Sequence, residues 1–182
     1  MQQQPGEVLI LTGPPGAGKT TVARLLTSRR DRAAHVESDF FWRFITAGYI
    51  DPSKPESHDQ NTVVMRIVGD VAARYARAGY FTVIDGIVNP RWFLAPLRAA
   101  LREAEVPVAY VILRPPLPVA IERATLRPSS RLADGSVIDQ LWNGFAGLAD
   151  ALERHVIDNG DQTAEETAAA VEERLRQGTL TV

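Results

Sequence analysis

Cysteine is absent from the 182 residues. That excludes disulfides, thiolate metal sites and cysteine nucleophiles together. The three histidines, His35, His58 and His155, are far apart, and no pair has zinc-ligand spacing. No apolar run approaches the ~18 residues of a membrane span. The opening MQQQPGE lacks the basic and apolar regions of a signal peptide, so no membrane partner and a cytoplasmic location are expected. An excess of one charge is lacking too. Twenty basic residues oppose 22 acidic ones, for a net charge of −2, with no basic tract of five or more. Bulk electrostatics offers long nucleic acid little to bind. Repeats, low-complexity tracts and linkers are also missing, and the length suits one domain over 1–182.

What is present is an alternation of two patterns. Short apolar runs read as strands at 7–12, 33–38, 80–86, 106–113 and 155–160. Helical spacing appears from Gly18 onward, over 39–48 up to Gly48, and over 61–78 with Val64, Ile67, Val68, Val71 and Tyr75 as one apolar stripe. It recurs from Pro90, as first helical residue, to about 104, then over 117–126, 137–152 and 163–178. Residues 49–60 and 127–136 are polar and loop-like. Strands alternating with helices predict an α/β fold with a five-stranded parallel sheet and right-handed crossovers. Ligands bind such sheets at the carboxyl ends of the strands. Those ends carry 13–20, Ser38–Asp39, Asp85–Gly86, Arg114 and 158–161.

The segment Gly13-Pro14-Pro15-Gly16-Ala17-Gly18-Lys19-Thr20, followed by Thr21, fits G-x-x-x-x-G-K-[ST] without a mismatch, after a strand and before a helix. Glycines let a backbone wrap phosphates, and a helix N-terminus adds a positive dipole end. Lys19 is placed to reach the β- and γ-phosphates, and Thr20 to hold magnesium. Asp85, ending the hydrophobic run FTVID, is the second magnesium candidate. The next residue is Gly86, where many hydrolysing P-loop ATPases carry a glutamate. No asparagine is followed by lysine, so the Asn-Lys-x-Asp guanine motif is missing and adenine is the expected base. Asp39, past the second strand, is placed for a general base or a helix cap. Arg127 and Arg131 edge a polar loop that is expected to act as a lid. FFWRF with Arg43, NPRWF with Asn89 and Arg91, and His58 are candidates for an acceptor pocket.

With those residues the sequence resembles the small P-loop kinases grouped around gluconate kinase, shikimate kinase, chloramphenicol phosphotransferase and the kinase domain of polynucleotide kinases. The stretches ESDFFWRFITAGYIDPSKPESHDQN and RYARAGYFTVIDGIVNPRWF are similar to a set of bacterial ATP-binding proteins. The resemblance implies ATP and Mg²⁺ as cofactors, phosphate contacts from Gly16, Gly18 and Lys19, and magnesium at Thr20. It also implies a base at Asp39, lid contacts from Arg127 and Arg131, and an adenine site between Arg123 and the pair Asn159 and Gly160. The glycine triplet with which shikimate kinases hold their acid is missing after the third strand. The implied reaction moves the γ-phosphate of ATP to a hydroxyl of a small acceptor. A nucleoside or polynucleotide 5′-hydroxyl kinase, or an ATP-binding switch without transfer, are the alternatives. Acceptor identity and oligomeric state stay open.

Overall fold

The strand Val8–Thr12 (β1) is apolar along its length because both of its faces are covered. The computed structural model describes residues 6–126 and 135–181. In it β1 is the middle of a five-stranded sheet with Ala33–Glu37 (β2), Phe81–Asp85 (β3), Val108–Leu113 (β4) and Val156–Ile157 (β5). The order is β2-β3-β1-β4-β5, and every neighbouring pair is parallel. Side chains alternate across the sheet. Val8 and Ile10 join one core with Val64, Met65, Val68, Leu97 and Leu101, on the helices His58–Arg77 (α3) and Leu94–Glu103 (α4 below). Leu9 and Leu11 join the other with Val22, Leu26, Ala168 and Val171, on Lys19–Ser28 (α1) and Ala164–Arg176 (α8 below). The chain leaves β1 to one side to form β2 and β3, then crosses to the other side for β4 and β5. The carboxyl end of β1 is therefore the point where the strand order reverses, and a crevice opens there.

Several boundaries depart from the sequence expectation, each for a local reason. The helix expected over 39–48 is only Asp39–Trp42 (α2). Arg43, Phe44 and Ile45 continue with bonds to the carbonyls three residues back, a tighter winding that seldom lasts. The helix α3 begins at His58, after a 3₁₀ turn over Pro55–Ser57, not at 61. Its buried face is also rotated. Val64 and Val68 are inside, but Ile67 and Tyr75 are each 45% exposed. The contact is made by small residues, and a Cβ on Gly69 would stand 2.8 Å from that of Ala100. Close approach of two helices thus outweighs the larger apolar stripe.

Pro90 does not open α4, which starts at Leu94. The carbonyl of Asn89 instead accepts the N–H groups of Trp92, Phe93 and Leu94. The helix Leu117–Thr125 (α5) agrees with expectation. The helix expected over 137–152 is broken into Gly135–Asn143 (α6) and Asp150–Glu153 (α7). Gly144 marks the break: a Cβ there would meet Asn89 Nδ2 at 2.5 Å, and its carbonyl accepts from that amide at 3.0 Å. Of 155–160, only Val156 and Ile157 pair as strand. The expected lid loop ends earlier than 136, because Gly135 is already helical.

Candidate functional site: the cleft at the end of β1

The loop after β1 is pressed against its surroundings so closely that only glycine fits at two positions. A Cβ on Gly13 would lie 2.1 Å from the Leu113 carbonyl oxygen, and one on Gly16 would lie 2.0 Å from that of Ala120. Both have positive φ, 145° and 79°, as does Gly18 at 85°. The loop is thereby seated on the end of β4 and on α5. Gly18 precedes α1, and no side chain caps that helix, which leaves its first-turn N–H groups to a ligand. Lys19 Nζ bridges the loop, donating to the carbonyls of Gly13 and Pro14 at 3.0 Å each. Thr12 ties the loop's root to the far side, its hydroxyl accepting Val88 N–H at 2.8 Å.

Two carboxylates face this lysine. Asp85 ends β3 in a buried position. Burial is the largest single influence on it and pushes its carboxyl up. The His35 and Thr20 hydrogen bonds and the Lys19 charge outweigh that and hold it below the ordinary value. His35 Nε2 lies 3.3 Å from Asp85 Oδ2. Asp39, the first residue of α2, is shifted the other way. Burial raises it most, Asp85 and Glu37 add to the rise, and Lys19 and Arg43 only partly oppose it. Its side chain keeps access to solvent, so this burial is that of a cleft floor. Neighbouring carboxyls whose surroundings push their pKa values apart are suited to different roles in one cleft.

Gly86 makes this proximity feasible. Ser38 N–H donates to the Asp85 carbonyl at 2.8 Å. A Cβ on Gly86 would stand 1.8 Å from Ser38 Oγ and 4.0 Å from Asp39 Oδ1. The missing side chain at position 86 gives Ser38 room as the tip of β2 closes on the tip of β3. The resulting cavity, about 130 Å³, is lined by Pro15, Gly16, Gly18, Lys19, Thr20, Glu37, Asp39, Asp85, Gly86, Ile87 and Ala124. A larger hollow of about 330 Å³ lies beyond the ends of β4 and β5, beside Arg114, Trp142 and Glu153. Its polar groups are engaged with one another. Arg114 forms a two-pronged pair with Glu153, both contacts 2.9 Å, and Trp142 Nε1 donates to the Pro115 carbonyl at 2.8 Å. The smaller cavity is the one with chemistry.

The loop after β5 closes the third side. Asn159 Nδ2 donates to the Ala17 carbonyl at 3.0 Å. The Arg123 guanidinium donates to the carbonyl of Asn159, at 3.2 Å, and to that of Gly160, at 2.8 Å. Asn159 Oδ1 is buried without a protein donor.

These residues fit a polyphosphate with magnesium. The glycine cradle leaves room that a Cβ would fill, and Thr20 with Asp85 supplies hard oxygen donors. No cluster of three or more His, Asp or Glu suited to a metal exists among the described residues. Mg²⁺ uses one or two protein oxygens alongside substrate phosphates and needs no such cluster.

Among the remaining expected residues, Thr21 faces outward on α1. Arg43 stacks over the Phe40 ring at 4.6 Å. Asn89 is buried, bonded to Gly144 and to Arg91 N–H, while Arg91 itself is exposed. His58 stands exposed on the first turn of α3, outside the cavity lining. Arg127 and Arg131 lie outside the described residues. Sequence reasoning missed His35, Glu37, Ile87 and Ala124. For the first two a signal existed: residues 35 and 37 share one face of β2, the strand that leads into Asp39.

A family model described as an AAA domain matches residues 8–148. The chain belongs to that family. By sequence, no curated protein matches this AAA-domain chain. By structure, it resembles the tunicamycin resistance protein of Deinococcus radiodurans, with TM-score 0.72, 18% identity, and 93% of this chain and 95% of that one covered. It also resembles a sugar kinase from Janibacter sp. HTCC2649, with TM-score 0.69, 21% identity and coverage of 94% and 95%. A third is shikimate kinase from Acinetobacter baumannii, with TM-score 0.59, 20% identity and 96% of each chain covered. The fold is thus the one these three proteins share. The family's description names a domain, not a reaction, and Gly86 offers no carboxylate to activate water. Among the described residues, no helix is long and apolar enough to cross a membrane.

Proposed function

We propose that this AAA-domain protein transfers the γ-phosphoryl group of ATP to a hydroxyl of a small acceptor. The supporting observation is the pair of carboxylates around Lys19: Asp85 held below and Asp39 raised above the usual range. Backbone N–H groups of Gly16 and Gly18 and the Lys19 ammonium hold the phosphates. Thr20 and Asp85 hold Mg²⁺, which neutralises phosphate charge when bound. Asp39 accepts the proton of the acceptor hydroxyl as its oxygen bonds to the γ-phosphorus. The bond from that phosphorus to the bridging oxygen breaks, and ADP leaves with the electron pair. Arg123 and the carbonyls of Asn159 and Gly160 flank the adenine. Arg127 and Arg131, outside the described residues, are the proposed source of further positive charge for the phosphates. Raised basicity favours Asp39, since a base works best with a pKa nearer the working pH.

The test is coupled ADP release with ATP, Mg²⁺ and a panel of sugars, sugar acids, aminoglycosides, phenicols and nucleosides. ADP release that needs one acceptor, and fails in Asp39→Asn with ATP still bound, is the expected result. Tight ATP binding with no acceptor-dependent release across the panel overturns the proposal in favour of a nucleotide-binding switch.

A further inference from the structure

We propose that Asn61 is a positioning residue for Asp39, acting through the indole N–H of Trp42. This rests on the reading of Asp39 as the base for the acceptor. Asp39 opens α2, a helix of four residues with no side-chain cap and no buried member. One turn of helix has too few bonds to hold a direction by itself. Its placement therefore comes from its two ends. At the leading end, Ser38 N–H donates to the Asp85 carbonyl at 2.8 Å. At the trailing end, Trp42 packs on the core and meets Phe93 edge to face, with centroids 6.2 Å apart. Trp42 Nε1 donates to Asn61 Oδ1 at 3.0 Å. Asp39 hangs between a backbone anchor one residue before it and a side-chain anchor three residues after it.

Asn61 is itself firmly held. It is only 6% exposed, in the first turn of α3. A buried amide in a helix is costly unless it is paired. Here both ends of the amide are. Nδ2 donates to the Pro52 carbonyl at 2.9 Å and to Ser57 Oγ at 2.7 Å, which turns Oδ1 toward Trp42. Ser57 is buried as well and donates to the Lys54 carbonyl at 2.6 Å. These bonds fix the orientation of the amide. Turned over, it would set its NH₂ against the indole N–H, donor against donor. Gln60 beside it clasps Ile50, accepting that residue's N–H at 2.8 Å and donating to its carbonyl at 2.7 Å. The loop between α2 and α3 is thus fastened to α3. An asparagine serving that loop alone would need only its two N–H bonds. The third bond reaches the helix that carries the base.

The test uses the full chain and follows the Asp39 carboxyl by carbon-13 NMR titration, with amide hydrogen exchange over 40–45. Trp42→Phe keeps an anchoring ring and removes the N–H. Asn61→Leu removes the amide at similar volume. The Asp39 carboxyl is raised by burial, with Asp85 and Glu37 adding to the rise against Lys19 and Arg43. With α2 released toward solvent, its titration midpoint should fall toward that of an ordinary aspartate in both variants. Exchange over 40–45 should quicken by about 10-fold, the scale of one lost buried hydrogen bond. Adding Trp42→Phe to Asn61→Leu should move the midpoint no further, since both cut the same bond. Val171→Ala, in the core on the opposite face of the sheet, should lower the melting temperature and leave the midpoint in place. The inference is overturned if midpoint and exchange stay as they are in both variants, or if only the melting temperature falls. It is also overturned if Val171→Ala moves the midpoint as far as they do. With an acceptor from the panel, kcat in Trp42→Phe should fall by about 10- to 100-fold, the scale of a misplaced reacting group, with ATP affinity intact. A shifted midpoint with unchanged kcat would remove Asp39 as the base and keep the hold of Asn61 on α2. An unchanged midpoint, with turnover still lost in Asp39→Asn, would do the reverse.

Discussion

The two sides of the cleft are built from different materials. The phosphate side is backbone: glycines packed to within about 2 Å of Leu113 and Ala120 carbonyls if given a Cβ, carbonyls holding Lys19, and an asparagine tether from the β5 loop. The proposed acceptor side is side chain: aromatics and arginines on a one-turn helix and on an irregular turn after Asn89. Backbone geometry recognises what all nucleotides share. Side chains on short irregular segments change without disturbing the sheet.

Four experiments break or sharpen the contrast. The largest effect is expected from Lys19→Ala, which removes the cation of the phosphate side. Acceptor-dependent ADP release should fall by about 10³-fold or more, the scale seen when a cation on the transferring phosphoryl group is lost, and nucleotide affinity should fall with it. Wild-type turnover would refute the cradle. Asp39→Asn comes next, with turnover down by ~10²–10⁴-fold while calorimetry finds ATP affinity intact. Ser38, not Asp39, stands at the N-cap of α2, and no side chain caps that helix, so the substitution removes no cap and a fall in melting temperature would assign Asp39 to structure instead.

A smaller effect is expected from His35→Leu. His35 steadies the carboxylate of Asp85 at 3.3 Å, and losing such a supporting contact weakens metal binding by about 10-fold. The readout is the ratio of ATP affinity with and without Mg²⁺. An unchanged ratio removes His35 from the site. The smallest effect separates the two carboxylates by pH. The Asp85 carboxyl is lowered, so its stabilising contribution is complete above the unfolded-state pKa and is lost as pH falls through the folded one. The Asp39 carboxyl is raised, so its contribution is present at low pH and is lost as pH rises through the folded pKa. At pH 7, Asp85→Asn should therefore lower the melting temperature, while Asp39→Asn leaves it unchanged or slightly higher. The acid limb of turnover should also lie above that of an ordinary aspartate.

Legibility in the sequence follows the same division. The sheet, its parallel sense and the phosphate loop were readable, because strand periodicity and the G-x-x-x-x-G-K-T spacing are local. The broken helix at Gly144 was not, since its cause is Asn89, 55 residues away. The rotated face of α3 was not, since Gly69 and Ala100 carry little hydrophobic signal yet set the helix spacing. Lys19, Thr20, Asp39 and Asp85 were named from sequence and meet in one cavity. His35 escaped because a histidine within a strand has no motif. Its relevance comes only from the pairing of β2 with β3.

Gly86 has a consequence for how such a protein changes over evolutionary time. Converting the cleft to spend ATP on water would call for a carboxylate after Asp85. The first carbon of that side chain would collide with Ser38 Oγ, 1.8 Å away. Turning the Ser38 hydroxyl to another rotamer relieves part of the collision, but the Ser38 Cβ would still stand 3.0 Å away. A carboxylate at position 86 would therefore enter a crowded corner between the tips of β2 and β3. The exposed side chains after Asp39 and Asn89 carry no such constraint, so the proposed acceptor side is free to vary where the corner at Gly86 is not.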